Sequence, residues 1–245
     1  MFSIALITGI GVGMATMVGS LMAFFIHRIS HKLNDIILGF AAGIMLGAAF
    51  FSLILPSIGT GVPGIAIPAL GILCGAVLIT LLDRFVPHMH KYIGVEAGSE
   101  NRGLMLFVLA IAIHNFPEGM AVGVSFATGN TGNAASIAIA IALQNIPEGL
   151  ITVSPLLMAG VKKRTALFLG LATGMVELAG TLIGYAVASV AGVMLPFMLA
   201  LAGGTMVYVI GNDIISETHS HGYQKQASYA LIVGVIVMLM IDHFV

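Results

Sequence analysis

Two apolar stretches, LMLFVLAIAIHNFPEGMAVGVSFAT at 104–128 and NAASIAIAIALQNIPEGLITVSPLLMA at 133–159, decide the fold of this chain. Each is long enough to cross a bilayer as a helix, for which about 20 apolar residues suffice. Each also carries near its middle a hexapeptide of the same design: His114-Asn115-Phe116-Pro117-Glu118-Gly119 and Gln144-Asn145-Ile146-Pro147-Glu148-Gly149. The break between them, Gly129–Asn133, contains no charge and reads as a tight turn. Two adjacent, antiparallel spans with matching polar centres follow.

Working outward, the composition allows nothing but a membrane protein. Of 245 residues, 59% are hydrophobic and 8% charged, with a mean hydropathy of +1.10. A soluble domain carries roughly a quarter charged residues, so a water-facing surface cannot be covered. The net charge of −1 offers no basic face to nucleic acid. The lone Cys74 rules out an internal disulfide framework and a thiolate cluster.

Eight segments are long and apolar enough to span: 3–26, 36–56, 65–86, 104–128, 133–159, 165–190, 193–215 and 227–245. Polar breaks fall at His27–Asp35, Asp83–Arg102 and Lys162–Arg164, and turn residues at Pro56–Gly64; Pro196 fits a helix start after the weakest break. The first segment has no basic residue before it and two after it, which reads as a span and not as a cleaved signal. Arg28, Lys32, Arg84, Lys91, Arg102, Lys162, Lys163, Arg164 and Lys225 all fall on one side of this eight-span arrangement. Positive charge stays cytoplasmic, so both termini are expected outside a cell membrane. Glycines four apart, such as Gly9/Gly13, Gly39/Gly43/Gly47 and Gly170/Gly174, allow close helix packing in lipid.

Of ten acids, seven fit loops or span ends, and Glu118, Glu148 and Glu177 lie mid-span. A charge there costs at least about 2.5–3.5 kcal/mol, and no Lys or Arg lies at that depth to pair with it. The counter-charge is a proton or a bound cation. Residues four apart share a helix face, which stacks His114 with Glu118 and Gln144 with Glu148, and turns Asn115 and Asn145 toward a neighbouring helix. The prolines free backbone carbonyls, a feature tolerated where a span lines a polar cavity. One imidazole, three carboxylates and several amide oxygens at one depth suit borderline or hard divalent ions such as Zn²⁺, Fe²⁺, Mn²⁺ or Cd²⁺.

The two motifs resemble those of the ZIP (Zrt/Irt-like) family of metal transporters, in its compact bacterial form, over the whole chain. The resemblance implies one transporter domain over 1–245, with spans 1–3 and 6–8 as inverted repeats around the 4–5 pair. It implies a primary metal site of His114, Glu118, Gln144 and Glu148, and a second of Asn115, Asn145, Glu177 and the two shared glutamates. It implies passage into the cytoplasm by an elevator-like movement, zinc as the leading cargo, no cofactor, and homodimers. Asp83, His88 and His90 match a pattern that releases metal on the cytoplasmic side, and Asp213 is placed in the same role. Met45, Ala48, Ile137, Ala140 and Ile141 resemble an apolar gate on the outer side. Taken by themselves, these five are core residues, and His219 and His221 are loop histidines.

Two other classes compete. A zinc protease would need two His four apart beside a Glu, and this chain has one His at that depth. A proton-coupled transporter of another solute would use the glutamates as relays, but would not need amides paired beside them.

Overall fold

The computed structural model describes residues 1–25, 30–59, 61–85, 100–158, 160–190 and 194–245; at 62–63, 82–85, 100–113, 155 and 158 the backbone alone is described. Among the described residues the chain is helical throughout. Span 1 is Phe2–Met22, span 3 Gly61–Phe85, span 4 Glu100–Ala127, span 5 Thr131–Met158, span 6 Lys163–Val190 and span 8 Gln224–Phe244. Span 2 runs from His31 to Ser57 and span 7 from Leu195 to Thr218, each interrupted by a π-helical segment, Ala48–Ile54 and Ile210–Ile214. Seven of these helices are long and apolar enough to cross a membrane, and span 4, 28 residues long, is the eighth member of the bundle. The protein is a multi-pass membrane protein.

Several ends shift from where hydropathy alone sets them. Span 2 begins at His31, not at 36, because the Ser30 hydroxyl caps the helix by accepting from Leu33 N at 3.2 Å. Span 7 extends past 215 to Thr218, and Pro196 sits in its first turn. Between spans 4 and 5, Gly129 takes φ +80°, a conformation that favours glycine, and Asn130 Oδ1 then accepts from Asn133 N at 3.2 Å to start span 5.

The helices pair by a rule that chain order does not follow. Span 1 packs on spans 5 and 6, and span 4 on span 6, forming one bundle; span 2 packs on span 8, and span 3 on span 7, forming the other. Glycine makes these pairings close. A Cβ at Gly13 would stand 2.6 Å from the Gly174 carbonyl oxygen, and one at Gly119 would strike the Glu177 carbonyl. In the other bundle, Gly39 lies against Ala227, Gly71 against Phe197 and Gly204 against Ile72. Each of these backbone approaches lies inside one bundle. Where the bundles meet, span 5 lies on span 2 and span 4 on span 7. Met45, Ala48, Ile137, Ala140 and Ile141 are all buried there within one hydrophobic core.

Candidate metal centre

Span 4 supplies His114, Asn115 and Glu118, span 5 supplies Gln144, Asn145 and Glu148, and span 6 supplies Glu177. The absence of a side chain at Gly119 lets span 4 lie against the Glu177 backbone, which brings the third carboxylate beside the hexapeptides. Asn115, Glu118, Gln144, Asn145 and Glu177 are each 2% exposed or less, and Glu148 is half-buried.

The geometry joins the two motifs. Gln144 Nε2 donates to Glu118 Oε1 at 2.6 Å across the span 4–5 pair. Asn145 Nδ2 donates to Glu177 Oε1 and Oε2 at 2.7 and 2.8 Å and approaches the Val12 carbonyl at 3.2 Å, tying spans 5, 6 and 1 together. The Thr181 hydroxyl donates to the Glu177 carbonyl at 3.1 Å. Among the described residues, none of the three glutamates pairs with a Lys or Arg. Glu118 and Glu177 meet neutral amide N–H groups instead.

What these amides leave over decides the chemistry. Glu118 Oε2, Gln144 Oε1, Asn145 Oδ1 and both polar atoms of Asn115, Oδ1 and Nδ2, are buried without a hydrogen-bond partner. An unmade hydrogen bond of this kind costs roughly 1–3 kcal/mol. Buried oxygens that protein donors leave unsatisfied are what a cation completes. As they stand, no three His, Cys, Asp or Glu side chains among the described residues are gathered closely enough to hold a metal. Amide donors occupy Glu118 Oε1 and both Glu177 oxygens, which would have to turn toward it.

His114 departs from its expected neighbour. Its Nε2 lies 3.2 Å from Asp213 Oδ2, on the π-helical segment of span 7, so the contact joins the two bundles. Sequence places Asp213 at an inner span end; because span 7 continues to Thr218, it stands within the helix and beside the centre. The signal available in sequence is the Asn212-Asp213 pair near the end of the segment 193–215, a span that in fact runs on to Thr218. Of the other release residues, His88, His90 and the side chain of Asp83 lie outside the described residues.

Asp35 is the residue that sequence reasoning missed. Sequence assigns it to a polar break, yet it is fully buried on span 2, with His221 Nδ1 at 3.1 Å from its Oδ1.

The family described as ZIP zinc transporter matches residues 94–242. The chain is 40% identical to zinc transporter ZIPB of Bordetella bronchiseptica over 238 residues, covering 93% of this chain and 77% of that protein. It is 37% identical to zinc transporter GufA of Myxococcus xanthus over 246 residues, 97% of each. With human zinc transporter ZIP11 it shares 31% identity over 318 aligned positions, 93% of each chain.

Proposed function

The chain belongs to the ZIP zinc transporter family and is a transporter of divalent metal ions, not an enzyme; from that premise we propose that it carries zinc into the cytoplasm through the buried carboxylates of spans 4, 5 and 6. The observation that carries this reading is the set of four buried oxygens, on Glu118, Gln144, Asn145 and Asn115, that no protein donor satisfies. Zinc accepts nitrogen and carboxylate oxygen at about 2.0–2.2 Å, and here it takes His114, Glu118, Gln144 and Glu148. Asn115, Asn145 and Glu177 serve an adjoining ion through the shared glutamates. With one imidazole and otherwise oxygen donors, the site holds zinc loosely enough to release it.

The movement we assign is a slide of spans 1, 4, 5 and 6 against spans 2, 3, 7 and 8. The glycine approaches favour it: they hold helices together within each bundle, while the face between bundles carries the buried Met45, Ala48, Ile137, Ala140 and Ile141, with the polar contacts His114–Asp213 and Asn133–Ser52 beside them. The ligands lie on the first bundle and move together. Met45 and Ala48 against Ile137, Ala140 and Ile141 form the apolar seal on the side of the termini, the outside by the distribution of Lys and Arg. Inverted repeats accord with the pairings. Exchanging spans 1–3 with 6–8 and 4 with 5 turns the 1–5 contact into 6–4 and the 3–7 contact into 8–2, and both π segments fall late in the second helix of a repeat.

Uptake of radiolabelled zinc into proteoliposomes tests the reading. The wild type accumulates zinc and Glu148→Ala abolishes it. Undiminished uptake by a Glu148→Ala protein that elutes as the wild type would overturn the assignment.

A further inference from the structure

A second cluster of ligating side chains lies away from the central glutamates, where span 2 begins and span 7 ends. His31 and Asp35 are four residues apart on the first turns of span 2 and so share a face. Opposite them, span 7 ends at Thr218 and the chain reverses through Gly222, whose φ of +86° favours glycine and turns His221 back toward span 2. His221 Nδ1 reaches Asp35 Oδ1 at 3.1 Å, and the His31 ring stacks on the His221 ring with centroids 4.5 Å apart and planes 27° apart. The other carboxylate oxygen, Asp35 Oδ2, is buried without a partner. On the far edge of the ring, Glu217 Oε1 stands 3.9 Å from His221 Nε2.

We propose that Asp35 and His221, closed over by His31, form a second divalent-metal site of the zinc class on the bundle that does not carry the glutamates. The separation of Nδ1 and Oδ1 is close to that of two ligands on one tetrahedral zinc, whose bonds are about 2.0–2.2 Å. The orphaned oxygen supplies the observation that a ligand belongs there, since a fully buried carboxylate with one unsatisfied oxygen gains most from a cation. Glu217, 3.9 Å from the second ring nitrogen, stands where a carboxylate behind a metal-binding imidazole stands and would close to hydrogen-bond distance with the ion bound. As they stand, these side chains do not gather three ligands around one point; His31 is exposed, and its ring has to turn to complete the site. The neighbouring His219 has its Nδ1 on the Ile215 carbonyl at 2.9 Å at the end of span 7. An ion at this site joins the start of span 2 to the turn between spans 7 and 8.

Equilibrium binding of Co²⁺ and Zn²⁺ to the full chain in detergent tests the site, with the Glu118→Ala/Glu148→Ala double variant as background. In that background one equivalent remains, and its Co²⁺ complex shows the visible absorption of a nitrogen- and oxygen-ligated ion. Asp35→Asn and His221→Gln, added singly, each remove that equivalent, with size-exclusion elution reporting that the fold is kept. Unchanged binding in both variants, or no metal bound in the double-variant background, would overturn the second site. Failure of the central reading looks different: Glu118→Ala/Glu148→Ala would then bind as many equivalents as the wild type.

Discussion

Replacing Gly13 by Ala, with Gly11→Ala beside it as the control, tests how closely the moving bundle is welded. A Cβ at position 13 would meet the Gly174 carbonyl oxygen at 2.6 Å, its carbon at 3.1 Å and its Cα at 3.3 Å, all of them backbone. Ordinary contact begins at 3.4 Å, so spans 1 and 6 must part by roughly 0.8 Å. Overpacking of this kind costs about 1–3 kcal/mol, and the better helix propensity of Ala returns about 1 kcal/mol. The net is about 0–2 kcal/mol of destabilisation, or a fall in Tm of up to roughly 8 °C for a chain of this size. Gly11, two residues away on the same helix, has nothing within 4 Å of its Cβ position; Gly11→Ala therefore keeps or raises Tm. The strain also reaches the centre, because the carbonyl of Val12 is one of the groups that Asn145 approaches. Zinc uptake by Gly13→Ala falls while that of Gly11→Ala does not. Thermal unfolding in detergent and uptake into proteoliposomes read the two effects. Equal Tm and equal uptake in both variants would refute the reasoning.

Asn145→Ala deprives both Glu177 oxygens of their donor. A hydrogen bond to a carboxyl that carries its proton is worth about 0.5–1.5 kcal/mol, so Tm without metal drops by roughly 1–6 °C; an unchanged Tm would show that the amide does not hold the carboxyl. Asp213→Asn alters the partly exposed contact with His114, a class of interaction worth up to about 1 kcal/mol. Zinc uptake then changes by at most about fivefold with the bound equivalents unaltered, whereas complete loss of binding would make Asp213 a ligand of the centre itself.

The spans were legible because a bilayer imposes length and polarity on every one of them, and the hexapeptides because carboxylates at that depth have no other use. Partner choice was not. Chain order suggests hairpins of neighbouring spans, yet Gly13 meets Gly174 and Gly39 meets Ala227, since in lipid it is shape at small residues that selects partners. The buried state of Asp35 was hidden for a related reason. Hydropathy ends a span at its first charge, but the Ser30 cap starts span 2 ahead of Asp35 and so draws its carboxylate inside the bundle. The π segments left no readable sign, because the extra residue in each turn is set by the fit against neighbouring helices. The direction in which Asn145 turns was suggested by helix geometry, but its partners Glu177 and Val12 depend on spans 6 and 1 lying together.

Anomalous diffraction from zinc-soaked crystals of the full chain tests the central claim most directly. The account predicts a zinc peak between spans 4 and 5, about 2.0–2.2 Å from carboxylate oxygens of Glu118 and Glu148, with Gln144 turned from donor to oxygen ligand. A structure with no zinc at Glu118 and Glu148 while zinc is bound elsewhere, and with Gln144 Nε2 still donating to Glu118, would contradict it.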